Sequence, residues 1–277
     1  MQRREKVAIL LLPILIAIIL VASYSQEADE DGRTTESVPS NLKAVALYSD
    51  RGAWNESIAA LKEMFQWMNR SVELVGADEI NGGALDRYSI LCMPGGDMYE
   101  YSKDLTPRGK EKIRDFILRG GGYMGICGGA YFASGRVEWR GEPLPMTPLG
   151  LYQGSAVGPL NDIHPYPSYG MSMVNIVDDS HPVTADGPEN MWMLYYWGPA
   201  LTPDEGSEVM ILGVYEETGQ PSIIAFEYGS GRVFLVGAHP EIKEDSDRDS
   251  STWGEEMDDR ESDWDLMLRA VLWLKKQ

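Results

Sequence analysis

Cys127 sits in Gly125-Ile126-Cys127-Gly128-Gly129, with a glycine two residues before it and another two residues after. That is the spacing of a nucleophile elbow, with a thiol in place of the more usual hydroxyl. Tyr123-Met124 precedes the pentapeptide and Ala130-Tyr131-Phe132-Ala133 follows it, so the stretch reads as strand, abrupt turn, helix. An elbow strains the backbone at the nucleophile, and side chains on the flanking residues would collide with the strand and helix. The helix start then offers partial positive charge and free N–H groups, which favour thiolate over thiol. Taken alone, the pentapeptide also fits a cysteine that merely packs in a core.

Two further stretches supply partners. The apolar run from Val233 to Val236 leads into Gly237-Ala238-His239-Pro240-Glu241. A histidine just past a strand end, with a carboxylate two residues on, suits an oriented base. His239 would take the thiol proton, and Glu241 would fix the ring's tautomer and stabilise imidazolium. Pro94-Gly95-Gly96-Asp97 ends another apolar run, Ile90 to Met93. The Gly96 N–H, with that of Gly128, could receive a developing oxyanion. By itself the glycine pair also fits an ordinary tight turn. Asp97, Tyr99 and Tyr131 are candidates for the pocket wall. His164 and His181 lie in loop-like stretches and read as surface residues.

The elements that must carry these groups follow from periodicity. Ala44 to Tyr48 reads as a buried strand, and Val72 to Val75, Ile90 to Met93 and Tyr123 to Ile126 as three further strands. Asn55 is placed to cap a helix whose apolar face is Ile58, Leu61, Phe65 and Met68. Thr106-Pro107 opens another, with Ile113, Phe116 and Ile117 inward and Gly120 as its stop. Alternating strands and helices with continuously apolar strands imply a parallel sheet covered on both faces. Ligands bind beyond the carboxyl ends of such strands, where Cys127 falls. From Arg136 to about Gly187 the periodicity weakens. Strands follow at Met173 to Val177, Val209 to Tyr215, Ile223 to Phe226 and Val233 to Val236, the later ones joined by short hairpin turns. The aromatic run Trp192 to Trp197 reads as core strand. A helix with Trp264, Met267, Leu268, Val271 and Leu274 on one face closes the chain.

Gly125 to Gly129 together with Ala238-His239-Pro240-Glu241 resembles the class I glutamine amidotransferase-like superfamily. More narrowly, Met93-Pro94-Gly95-Gly96-Asp97 followed by Tyr123 through Ala133 is similar to the amidotransferase-like domain found at the N-terminus of some eukaryotic biotin-protein ligases and as stand-alone prokaryotic proteins. The resemblance covers residues 42–277. It implies a flavodoxin-like sheet and a Cys-His-Glu triad, with Cys127 as nucleophile, His239 as base, Glu241 as orienter, and Gly96 and Gly128 as oxyanion donors. Glutamine-using members continue the elbow with His-Gln, whereas this chain has Ala130-Tyr131, so the resemblance does not carry glutamine as the substrate. Ligase activity is not implied either: no P-loop and no ligase catalytic region is visible in these residues.

Composition narrows the rest. The chain has 277 residues, a formal net charge of −19 and only two cysteines. So acidic a surface argues against nucleic acid as a partner. Cys92, inside an apolar run, reads as a core thiol, and neither cysteine lies in a metal-type pattern. Arg3, Arg4 and Lys6 precede an apolar segment from Val7 to Ala22, which reads as a signal peptide or membrane anchor over 1–23 that places the domain outside the cytoplasm. Residues 24–41 form an acidic, Ser/Thr-rich linker. Asp245, Asp247, Asp249 and Glu256 fall at positions of a calcium loop, but Ser250 stands where glycine is wanted, so an acidic solvated loop near the site is expected and no metal. Gly120 to Gly125 matches a dinucleotide fingerprint by letters but precedes its strand instead of following it, and no cofactor is expected.

The expected architecture is therefore a three-layer, flavodoxin-like α/β domain over 42–277, its sheet mostly parallel with additional antiparallel strands in the C-terminal half. The expected function is an exported or tethered cysteine hydrolase acting on a small-molecule or peptide amide through a Cys127 thioester. The alternatives are a non-catalytic binding or regulatory module on the same scaffold, and a peptidase or deglycase.

Overall fold

The computed structural model of the chain describes residues 44–242, 247–254, 256–257 and 262–275. The segment Val7 to Ala22 and the linker after it lie outside the described residues. Among the described residues no helix is long and apolar enough to cross a membrane.

The first half alternates strand and helix: β1 (Val45–Tyr48), α1 (Asn55–Trp67), β2 (Val72–Val75), α2 (Ala77–Gly82), β3 (Ile90–Met93), α3 (Met98–Asp104), α4 (Pro107–Leu118), β4 (Gly122–Ile126) and α5 (Gly128–Ala133). The second half is strand-rich: β5 (Arg136–Trp139), β6 (Glu142–Pro143), β7 (Gly154–Gly158), β8 (Gly170–Ile176), β9 (Asn190–Tyr195), β10 (Ala200–Pro203), β11 (Met210–Tyr215), β12 (Pro221–Tyr228), β13 (Gly231–Val236), then α6 (Trp264–Leu274). The large sheet runs β2-β1-β3-β4-β13-β12-β11-β8-β9. From β2 to β13 the strands are parallel, and from β13 to β9 each pairs antiparallel with the next.

The continuously apolar strands serve two cores. Val45 and Leu47 enter one and Ala46 and Tyr48 the other; Ile90 and Cys92 split from Leu91 and Met93 in the same way. One core is shared with Leu61, Met64 and Phe65 of α1 and with the buried face of α6, the second with α2 to α5. This is the double cover that parallel strands need.

Helix ends follow local chemistry. Thr106 Oγ1 accepts from Gly109 N at 3.1 Å, with Pro107 as the first helical residue. Gly120, at φ +107°, stops α4. Asn55 is not a cap. Trp54 occupies that position without a side-chain bond, its N–H donating to Gly95 O at 2.9 Å. A second sheet, β10-β7-β5-β6, takes β5, β6 and β7 from the stretch where periodicity weakened and β10 from beyond it. Its short strands add Val137, Ala156 and Leu201 to the second core.

Candidate active site

Three strand ends build the site. β4 and β13 pair in parallel up to Ile126 and Val236, and Cys127 N donates to Val236 O at 2.9 Å. The turn after β13 and the elbow after β4 therefore leave the sheet side by side. β3 ends beside them, Met93 opposite Gly125.

Cys127 has φ 46° and ψ −103°. A non-glycine residue there is strained by about 1–3 kcal/mol and is held only by its surroundings. The flanking glycines are required by space. A Cβ on Gly129 would lie 2.1 Å from Met93 O, and one on Gly125 would lie 2.8 Å from Gly129 O. Both obstacles are backbone. Gly129→Ala is accordingly expected to cost about 3 kcal/mol, the upper end of overpacking, read as a lower urea midpoint at unchanged slope.

His239 is fixed from both sides. Its backbone N–H donates to Leu194 O of β9 at 2.9 Å, and its ring Nδ1 lies 3.0 Å from Glu241 Oε1. Both residues are buried, at 1% and 0% exposure, so their interaction is little screened. Ser57, on α1, donates to the same Oε1 at 2.6 Å and accepts from Gly95 N at 3.0 Å. Trp264 Nε1 of α6 donates to Glu241 O at 3.0 Å. Burial pushes the imidazole down, but the charges of Glu241 and Cys127 outweigh it and raise the ring to about 10. His239 Nε2 has no hydrogen-bond partner among the described residues. A charged imidazole with Nδ1 held by a carboxylate and Nε2 unengaged is arranged to give a proton to an incoming group.

Gly95 and Gly96 serve separate purposes. A Cβ on Gly95 would lie 2.5 Å from His239 Cε1. A Cβ on Gly96, which has φ +145°, would run into Gly52 O, and one on Gly128 would run into Gly96 O. The backbones of the two expected oxyanion donors are thus packed against each other at the elbow.

Cys127 and His239 both face a cavity of about 530 Å³. Gly96, Asp97, Tyr99 and Tyr131 line it as well. Asp97 also caps α3, Oδ1 accepting from Tyr99 N at 2.9 Å. Tyr131 donates its hydroxyl to Trp197 O at 3.0 Å. The aromatic remainder of the wall was not expected: Trp54, Trp139, Tyr196 and Trp197, beside Gly52, Met98 and Leu144. The run Trp192 to Trp197 is core strand only as far as Tyr195, where β9 ends. Trp197 then adopts φ 61° and turns into the cavity wall. Tyr196 O receives the Cys127 thiol at 3.6 Å.

Cys92 is fully buried, and burial together with the nearby charge of Glu241 pushes its thiol well up. Native protein is therefore expected to take up iodoacetamide at Cys127 alone, with Cys92 labelled only after denaturation, as peptide mass mapping would show. His181 departs from the surface role read for it: it is 6% exposed and its ring stands edge-on to Trp273. The surrounding apolar residues depress its imidazole. His164 is half-buried, with Nε2 3.1 Å from Met171 O. Of the acidic loop, Asp245 and the side chain of Asp247 lie outside the described residues. Asp249 accepts from Ser251 N at 2.8 Å and Glu256 from the Tyr169 hydroxyl at 3.3 Å. Among the described residues no cluster of three or more His, Cys, Asp or Glu could hold a metal. Trp253 of that loop rests on Tyr196 and Trp54, ring centroids 4.7 and 5.2 Å away.

The elbow, the sheet order and the placement of the cavity define an α/β protein of the class I glutamine amidotransferase-like type. Solved structures agree at the level of fold. A putative ThuA-like protein of Bacteroides uniformis superposes with a TM-score of 0.56 at 14% identity, covering 87% of this chain and 95% of that one. A glutamine amidotransferase of Thermotoga maritima gives 0.54 at 13% identity, covering 85% and 99%. Within that class, the family described as "Biotin-protein ligase, N terminal" matches residues 43–273, and the chain belongs to it. It is 29% identical over 214 residues to a biotin--protein ligase of Schizosaccharomyces pombe, covering 72% of this chain but 33% of that protein. The chain thus spans about a third of that relative's length. An uncharacterized protein of Chlamydia muridarum is 27% identical over 223 residues, covering 73% of this chain and 81% of that one.

Proposed function

We propose that the chain is a cysteine hydrolase of amidotransferase type, cleaving an amide through a thioester on Cys127. The observation that carries this reading is the buried His239–Glu241 pair, 3.0 Å apart, in the wall of the cavity that holds Cys127 on its strained turn. Transfer of the Cys127 proton to His239 gives the nucleophile, and His239 then carries the proton that the leaving amine needs. The sulfur attacks the amide carbon, forming a C–S bond and a tetrahedral oxyanion beside the Gly96 and Gly128 N–H groups. Collapse breaks the C–N bond, and His239 gives its proton to the leaving amine. Neutral His239 then takes a proton from water, which attacks the thioester; the acid departs and the ion pair is restored. Tyr131 stands where glutamine-using members carry glutamine, so the amide of free glutamine is not the proposed substrate. The segment over 1–23 is proposed to export the domain or hold it at a membrane, which fractionation of the full chain against a chain lacking 1–23 would test.

The test is the pH dependence of Cys127 alkylation by iodoacetamide. An ordinary thiol titrates near about 8.5. The proposal expects a rate plateau extending below that value, lost in His239→Ala, and no turnover of any amide by Cys127→Ala. A simple thiol titration unchanged by His239→Ala would overturn it and favour a binding module on the same scaffold.

A further inference from the structure

The cavity walls point to the kind of amide. Trp54, Tyr131, Trp139, Tyr196 and Trp197 present aromatic rings there, and Asp97 is the one carboxylate that lines it. No Lys or Arg of the described residues lines it. Nearby cations are engaged elsewhere: Lys103 Nζ lies 5.2 Å from the Tyr99 ring centre, and Arg140 Cζ lies 4.8 Å from that of Tyr166. Tyr166 in turn packs on Trp139 and Trp197, at 6.2 and 4.7 Å. Tyr99, a lining ring, and Tyr166, packed on two lining rings, thus already accept cations, while Trp54, Tyr131, Trp139, Tyr196 and Trp197 face no Lys or Arg among the described residues.

Resting on the reading of Cys127 as nucleophile, we propose that the substrate is an amide carrying a cationic group, an ammonium or guanidinium, which the aromatic walls and Asp97 receive while the amide lies at Cys127. Aromatic faces attract cations through their quadrupole, most strongly where water is excluded. The Asp97 carboxylate adds a direct charge. A chain of net charge −19 also draws cations toward it and repels anions. An anionic substrate would meet ring faces and a carboxylate with no lysine or arginine in the lining to balance it.

Charge-varied thiol reagents test this on the full chain. Methanethiosulfonates with a trimethylammonium, a methyl or a sulfonate group modify Cys127, and each rate is divided by the rate on a free thiol in solution. The expected order is cationic, neutral, anionic, with cationic at least tenfold over neutral. Asp97→Asn, which can still cap α3, and Trp139→Leu are each expected to reduce that ratio at least threefold. The arginine side chain in an Nα-acetyl amide should protect Cys127 at one-tenth the concentration needed by its norleucine counterpart. Equal normalised rates for the cationic and neutral reagents in the wild-type chain would overturn the inference, whatever the variants do. So would a preference that neither substitution changes. Failure of the two readings is distinguishable. Charge-blind modification with the low-pH alkylation plateau intact removes only the cationic substrate. Cation preference without the plateau removes the nucleophile reading and with it the amide assignment.

Discussion

Replacing Glu241 with glutamine is expected to lower turnover on the order of 10³–10⁴-fold, the scale seen when the orienting carboxylate of a triad loses its charge. It should also remove the low-pH plateau of Cys127 alkylation. The cause lies in the competition at His239. Burial alone drives the ring toward its neutral form; the Glu241 carboxylate, with the charge on Cys127, reverses this and raises the ring to about 10. Glutamine keeps an oxygen for Nδ1 and for Ser57 but supplies no charge, so burial prevails and the ring is neutral near pH 7. Its amide nitrogen would take the place of Oε2, which is buried without a partner among the described residues. The same substitution has a stability signature whose sign is fixed. A ring held above its unfolded value of about 6.5 stabilises the fold fully below that pH, and the contribution fades as pH rises through about 10. The melting-temperature gap between wild type and Glu241→Gln should therefore be widest near pH 6 and narrow toward pH 10. A gap that does not change with pH would show that Glu241 does not hold the ring charged.

Legibility in the sequence tracked how local the causes were. The elbow was readable because its constraint acts within five residues: Gly125 and Gly129 are glycines because backbone lies where their side chains would go. His239 and Glu241 were readable for the same reason, two residues apart after an apolar run. β1, β3 and β4 announced themselves because both faces are buried, whereas the edge strand β2 exposes Glu73 and Leu74. Ser57 was missed although a signal existed. It lies on the buried side of α1 with Leu61, Met64 and Phe65, at helical spacing, and a serine on an apolar face asks for a polar partner. That partner, Glu241, is 184 residues away. Distance in sequence also hid the site's architecture. Nothing near β4 says that β13 will pair beside it, yet that pairing brings Cys127 and His239 to one cavity.

The misread segments share a different cause. β5, β7 and β10 are short, with glycine at both ends of β7 and proline at the end of β10, and they pack against a sheet made elsewhere, so little alternation is visible. The run Trp192 to Trp197 is uniformly aromatic, and composition cannot mark where burial in a core ends and lining of a cavity begins. That boundary is set by backbone, at the end of β9 and the positive φ of Trp197. His181 looked like a loop residue because it lies in one, but Trp273 of α6 covers it from the far end of the chain.

Gly95→Ala should show how much of the site depends on an empty space. The added methyl would stand 2.5 Å from His239 Cε1 and 3.5 Å from Ser57 Oγ. Gly95 is not among the residues of positive φ, so backbone strain is not the issue. Either the ring or the β3 turn must give way. The ring is held by Glu241 at Nδ1 and the His239 backbone by its bond to Leu194 O, and the turn is held by Gly95 N to Ser57 and Trp54 N to Gly95 O. Neither can yield without loosening the Ser57–Glu241–His239 chain of contacts. The expected stability cost is about 1–3 kcal/mol, the usual range for one inserted methyl group. The expected loss of turnover is larger, on the order of 10²-fold, because a displacement of about 1 Å at a catalytic group is enough. The two readouts separate the cause. A stable protein whose alkylation profile has moved to that of an ordinary thiol would place the damage at His239. A variant that loses stability but, where folded, keeps the wild-type profile would show that the turn moved instead, and that the space beside the ring is not what positions it.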